Sequence, residues 1–270
     1  MLIGRLEIMS TIPSAALLDA WERGLEASPG ERGLMLLALS YPDEPEATIV
    51  GMPVGRRDAA LIALFERLFG SRFAAQAECP RCGAALQADF LTSTFAAPVC
   101  EAAPERLMFE HAGRQFAYRL PNAGDLASFA EPEIAAANEE AKRTWLLRRC
   151  LLAIDHSDGD GAGAKVSSAA DGLTTIPDDL LPRLEQAIAG AAAALDPLSD
   201  IELALDCPEC AHAWRSPFDI LTFLWSALDE WAKRMLAEIH ILALHYGWSE
   251  AEILGLSAHR RRRYRGLIGL

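Results

Sequence analysis

Four cysteines in two matched pairs are the residues of this chain whose types and spacing point most directly to chemistry. They are Cys79-Pro80-Arg81-Cys82-Gly83 and Cys207-Pro208-Glu209-Cys210-Ala211, each with proline after the first thiol and a small residue after the second. A C-x-x-C loop turns tightly enough for two thiolates to reach one ion at ~2.3 Å while backbone N–H groups point at the sulfurs, and two such knuckles complete a tetrahedral shell of sulfur. The expected occupant is one Zn2+. Because the protein supplies all four ligands, no position is left open for a substrate, and the site is expected to be structural. Spacing alone leaves two other readings open, unmetallated thiols or a redox pair, although neither pair opens a helix after a strand as the redox motif requires. Cys100 and Cys150 stand alone and read as buried structural thiols.

The rest of the chain offers little that could catalyse. Gly255-Leu256-Ser257-Ala258-His259 has the first half of a nucleophile elbow but lacks the closing glycine and a preceding strand. His240 and His245 are five apart, so they cannot share a metal face as two histidines four apart do. The acidic stretch around Asp158 and Asp160 fails the calcium-loop frame, which would put His156 and Ser167 where carboxylates are needed. Gly161 to Lys165 lacks the spacing and the hydroxyl of a phosphate loop. His212 could replace a thiolate, but four already suffice. The expectation is a protein that is not an enzyme.

Positioning the four thiols makes demands on the fold, because Cys82 and Cys207 stand 125 positions apart where a compact zinc ribbon has about 15–20 residues between its pairs. An inserted subdomain must lie between the knuckles. Segments 73–78 and 84–90 can pair as strands around the first knuckle, and 201–206 and 211–215 around the second, with Ile201, Leu203 and Leu205 alternating. The fold class expected is α+β, mainly helical, with a four-cysteine zinc-ribbon-like β element split by an inserted subdomain. Its expected parts are an N-terminal helical region over 1–72, ribbon halves at 73–90 and 200–216, an inserted α/β subdomain over 91–199 and C-terminal helices over 217–270.

Within these parts, helices are expected from Ser14 to Leu25, from Pro29 after the cap Ser28, and over 56–68 up to Gly70, with a loop at 42–45. The insertion reads as a hairpin around His111-Ala112-Gly113, a helix over 132–153, a mobile loop at 156–172 poor in large apolar residues, and a helix over 178–194. A capped start at Ser216-Pro217-Phe218-Asp219 opens a stretch of about 30 residues without glycine or proline, the longest expected helix. Its stripe of Leu221, Leu224, Leu228, Trp231, Met235, Ile239 and Leu242 is expected to be core. Ser249 and Ser257 cap two short helices beyond it.

The 270 residues include 25 Lys and Arg against 38 Asp and Glu, a formal charge of −13, with 51% hydrophobic residues. This composition is globular, and no apolar run approaches the ~18 residues of a membrane span, so no membrane partner is expected. The charge opposes broad adhesion to nucleic acid. Met1 to Arg5 begins no export signal and Pro13 breaks the next stretch, so the cytoplasm is the expected location. The exception to the acidic balance is His259-Arg260-Arg261-Arg262-Arg263-Tyr264-Arg265. It can dock an acidic partner or RNA, or it can be a solvated face that pairs with the acidic body.

Several segments together resemble the assembly chaperones of T-even-phage-type baseplate hubs, whose relatives occur in gene clusters for contractile tails and contractile injection systems. The resembling residues are Pro53-Val54-Gly55-Arg56-Arg57-Asp58-Ala59-Ala60-Leu61 leading to Leu68-Phe69-Gly70, both cysteine knuckles, and Phe218-Asp219-Ile220-Leu221-Thr222-Phe223-Leu224-Trp225. The last run is Glu238-Ile239-His240-Ile241-Leu242-Ala243-Leu244-His245-Tyr246-Gly247-Trp248-Ser249-Glu250-Ala251-Glu252-Ile253-Leu254, which leads into the arginine segment. Order and spacing follow the family from about residue 14 onward, with residues 91–200 contributing little. Ala211 departs from the glycine expected after the second knuckle. The resemblance implies a non-enzymatic factor that helps form the baseplate hub or spike, its partners, and that acts in the cytoplasm or on the particle. Tyr246, Trp248, Leu254, Arg260, Arg261, Arg262, Arg263 and Arg265 are the candidate partner-binding residues, because they set apolar side chains beside the strongest charge feature. A stable baseplate component is the alternative expectation, and a zinc-ribbon nucleic-acid binder the third.

Overall fold

The computed structural model describes residues 12–95, 104–156, 165–168 and 179–269. The described residues open with helices α1 (Ser14–Leu25) and α2 (Pro29–Ser40) where the sequence places them. Ser28 starts α2 as a capping box: its hydroxyl accepts the Glu31 N–H, and the Glu31 carboxylate accepts the Ser28 N–H at 2.7 Å. A one-turn helix α3 (Glu46–Val50) follows the loop at 42–45, and α4 (Val54–Phe69) stops at Gly70, whose φ of 95° only glycine takes without strain. Strands β1 (Arg72–Glu78) and β2 (Ala85–Leu91) then form the first hairpin, with Phe73 opposite Phe90 and Glu78 opposite Ala85.

The insertion is a four-stranded antiparallel sheet with helices on it. Strands β3 (Leu107–His111) and β4 (Arg114–Tyr118) turn through Ala112 and Gly113, both at positive φ, as a two-residue hairpin turn demands. Helices α5 (Ala123–Ser128), α6 (Pro132–Ala135) and α7 (Glu139–Cys150) follow, and β5 (Leu151–His156) and β6 (Lys165–Ser168) complete the sheet in the order β3-β4-β5-β6. The single helix expected over 132–153 is therefore corrected. Asn138 restarts the helix by accepting the Ala141 N–H at 2.8 Å, and from Leu151 the backbone is extended and pairs with β4. The expected loop at 156–172 is corrected at its ends, since His156 closes β5 and residues 165–168 pair with it; 157–164 and 169–172 lie outside the described residues. Helix α8 (Leu180–Leu195) covers the sheet, and Leu180, Leu184 and Ile188 pack with Phe116, Tyr118, Leu147 and Leu151 into the insertion's own core.

The second hairpin, β7 (Glu202–Asp206) and β8 (Ala213–Pro217), leads into α9 (Ile220–Tyr246), 27 residues long. Its cap is Asp219, whose carboxylate accepts the Leu221 N–H at 3.0 Å, while Ser216 and Pro217 finish β8 instead of opening the helix. Gly247, left-handed at φ 67°, ends it. Two capped helices close the chain, α10 (Glu250–Leu254) after Ser249 and α11 (Ala258–Leu267) after Ser257. The stripe on α9 forms the spine of the main core: Leu221, Leu224, Leu228, Met235, Ile239 and Leu242 are buried against α1, α2 and α4, while Trp231 is half-buried. Trp21 on α1 donates from Nε1 to Asp229 on α9 at 2.9 Å, which fixes the two helices at one point. No helix among the described residues is long and apolar enough to cross a membrane.

Candidate metal centre

Each knuckle is built by its own hairpin, and the two are alike bond for bond. The Cys79 N–H donates to the Ala84 carbonyl and the Gly83 N–H to the Cys79 carbonyl, both at 2.9 Å; the Cys207 N–H donates to the His212 carbonyl and the Ala211 N–H to the Cys207 carbonyl, again at 2.9 Å. The fifth residue of each loop must turn left-handed to close it. Gly83 does so at φ 72° and Ala211 at φ 54°, so alanine in place of glycine costs backbone strain while the loop keeps its shape.

The hairpins are planted in the main core by phenylalanines at their bases. Phe73 in β1 stacks on Phe65 of α4 at 4.1 Å between ring centroids, and Phe218, just past β8, stacks on Phe95 at 4.8 Å and on Phe223 at 4.9 Å. Phe73 and Phe218 meet edge to face at 5.5 Å, so one aromatic cluster holds both strands whose far ends carry the knuckles. Leu203 of β7 is buried in the same core.

The four sulfurs lie within 4.8 Å of one another. Between the knuckles, Cys79 comes to 3.7 Å of Cys210 and Cys82 to 3.6 Å of Cys207, far longer than the ~2.05 Å of a disulfide. Four thiolates at ~2.3 Å from a tetrahedral ion stand about 3.8 Å apart, so this donor set fits a single metal ion shared by both pairs. His212 stays outside the set; its ring lies parallel to Trp214 at 6.1 Å.

The thiols are unequal. Desolvation opposes ionisation of Cys79, but N–H groups of Arg81 and Cys82 and the neighbouring thiols outweigh it and hold its pKa down to about 7. The Ala84 N–H and Cys210 favour ionisation of Cys82, yet desolvation and the thiols of Cys207 and Cys79 leave it above the ordinary thiol value. Cys210 is pushed up to about 12, first by desolvation and then by the other three cysteines, against the His212 N–H. Ionisation is favoured at Cys79 and opposed at Cys82 and Cys210, and a cation among them would offset the repulsion between negative sulfurs. Cys150 is fully buried and raised to about 12 by burial, an inert structural thiol as expected; Cys100 lies outside the described residues.

Two buried carboxylates that the sequence motifs did not single out hold the insertion, Asp196 by tying it to the body that carries the site and Asp125 by bracing it internally. Asp196, after α8, accepts the Gly55 N–H at 2.7 Å at the N-terminus of α4, where a Cβ on Gly55 would come within 2.6 Å of the Ser199 nitrogen and 2.7 Å of Asp196 Oδ1. Asp125 in α5 takes Arg119, just past β4, in a two-pronged pair at 2.6 and 2.9 Å and Arg149 of α7 at 2.9 Å, and it completes a capping box with Asn122. The Asn122-x-x-Asp125 spacing was the signal available in the sequence. In α4, Asp58 is held up at about 6 by burial, against the pull of Arg57 and with the push of Asp219 and Asp196.

The candidate partner-binding residues divide. Arg261 is corrected: it is buried, its guanidinium donates to the Leu256 carbonyl at 2.6 Å and lies 3.7 Å from Glu238, so it anchors α11 to α9. Arg260, Arg262 and Arg263 are exposed and meet no carboxylate within ion-pair distance among the described residues; Arg265 and Leu254 are half-buried. Among the described residues, Arg261 alone of this run pairs with the acidic body. Tyr246 stacks on Trp248 at 4.6 Å, and the edges of both meet Tyr264 of α11 at 5.5 and 4.8 Å. Those aromatics seat α11, and the arginines are what they display. Ser257 serves as the α11 cap, its hydroxyl accepting the Arg260 N–H, and His245 bonds the Ile241 carbonyl through its own ring.

No family model, curated protein or solved structure matches the chain. Fold and site define it on their own terms as a mainly helical α+β protein with a ribbon-like element of two hairpins, split by an insertion and closed by four cysteines able to hold a metal ion.

Proposed function

We propose that this protein is a non-enzymatic assembly chaperone for the hub or spike of a phage-like contractile tail or contractile injection system, with one structural Zn2+ held by Cys79, Cys82, Cys207 and Cys210. The observation that carries the reading is where the resembling segments fall. The Pro53 to Leu61 run opens α4, the Phe218 to Trp225 run opens α9, the Glu238 to Leu254 run spans the end of α9 and α10, and both hairpins stand on the same core. Residues 91–200, which contribute little to the resemblance, hold a core of their own. Segments scattered through the sequence thus form one body, as a shared scaffold with a variable insertion would.

Four protein thiolates leave zinc no open position, which suits a fastener and not a hydrolytic centre. An assembly chaperone covers a partner's interface until its neighbours arrive and then leaves. The test is a tagged full-length chain recovered from cells that carry the surrounding gene cluster, with mass spectrometry of what it binds and of the purified particle. Hub or spike proteins on the chain, with the chain absent from the particle, are expected. Fixed stoichiometry in the particle would make it a structural component, and recovery of neither class would contradict the proposal.

A further inference from the structure

Helices α1 and α2 are folded back on each other by the short connection at 26–28, and with α3 across one end they enclose an open cavity of about 490 Å³. Its walls are mostly aliphatic, with Tyr41 among them. Ala16 and Ala20 face it from α1, and Leu34, Met35 and Leu39 from α2 are only half-buried there; Ala38 is exposed. Residues at i, i+3 and i+4 on two neighbouring helices thus make a trough with the shape of a third helix's seat. The rim is mainly acidic. Asp19, Glu44 and Glu46 border it, and the only cation on it, Arg23, lies 3.6 Å from Asp19, while Glu44 and Glu46 have no cation within ion-pair distance among the described residues.

An occupant must bring apolar side chains for the floor and positive charge for the rim. Phosphate-bearing surfaces are repelled, nucleic acid and anionic lipid alike, and the net charge of −13 extends the same selection beyond the groove. We propose that this groove is a docking site for an amphipathic helix of a partner protein whose apolar stripe is flanked by lysine or arginine. The inference rests on the assembly-chaperone reading and names the surface that would shield such a helix before assembly.

The test uses the full chain and two labelled synthetic helices, identical in their leucine stripe, one flanked by lysines and one by glutamates, followed by fluorescence anisotropy. The lysine helix should bind saturably and the glutamate helix roughly tenfold more weakly. Ala38→Arg should abolish binding, and Glu44→Lys with Glu46→Lys should reverse the preference. All three positions are at the surface or on the rim, so unfolding midpoints should stay with the parent. Equal binding of the two helices, or binding untouched by these changes, overturns the proposal. Binding that appears only after deletion of residues 1–11 assigns the groove to the chain's own N-terminal segment, and a concentration-dependent dimer lost with Ala38→Arg assigns it to a second copy; either overturns it. If the parent chain and Ala38→Arg recover hub proteins equally, this inference fails and the chaperone reading stands. If the lysine helix binds as described and no hub protein is recovered, the reverse holds.

Discussion

Ala211 holds the left-handed turn that Gly83 holds in the other knuckle, but it carries a Cβ there. A non-glycine residue in this region costs roughly 1–2 kcal/mol, part of which glycine gives back in unfolded-chain entropy. Ala211→Gly is therefore expected to stabilise the protein by about 0.5–1 kcal/mol with metal content unchanged, measured as a shift in the denaturant midpoint. At this scale the site was legible. A C-x-x-C pair is its own geometry, since two thiols three apart in a tight turn can face one point whatever lies between the pairs. The arginines were not, because five identical side chains in one short segment carry no mark of which one the helix turns inward. Arg261 is distinguished only by Glu238 and the Leu256 carbonyl, both supplied by tertiary packing.

Among the elements, the bracing of the insertion depends on Asp125, which is fully buried and gathers Arg119, just past β4, and Arg149 of α7 onto α5, itself packed against α2. Desolvation alone would raise its pKa, but Arg119 and Arg149 outweigh that and hold the carboxyl below its usual value. Its stabilising contribution is thus complete above the unfolded value of ~4 and is lost as pH falls through the lower folded one. Asp125→Ala removes the acceptor and leaves the mostly buried Arg119 with only the Leu120 carbonyl, while Arg149, 44% exposed, can turn to water. A cost of about 3 kcal/mol is expected. Hydrogen exchange should show it first in β3 to β5 and α7, and the variant should lose the share of acid-dependent stability that Asp125 contributes.

Elements with a complete local signature were readable from the sequence. Helices α2, α10 and α11 announce their starts with serine caps, and α9 announces its core face with a long stripe and its end with Gly247. Where an element owes its existence to a distant partner the signal was faint. Leu151 to His156 continues the apolar pattern of α7 and becomes a strand only because β4 offers an open edge, and β6 has a short polar sequence that only its pairing with β5 defines.

Across the whole molecule, two cores must be held by one chain, and the four cysteines close a loop that contains the entire insertion. A metal clip over so long a loop removes much of the unfolded chain's freedom, and its binding energy adds directly to folding. Chelation should therefore lower the stability of the hairpins and of the Phe73 and Phe218 cluster on which they stand. The measurement that tests the centre most directly is zinc content per folded chain, by mass spectrometry of the metal, for the parent protein and for Cys79→Ser and Cys207→Ser. One zinc per chain, lost on either single substitution, is the result expected of one ion shared by both knuckles. Zinc retained after either change, two ions per chain, or no metal in the parent would contradict it.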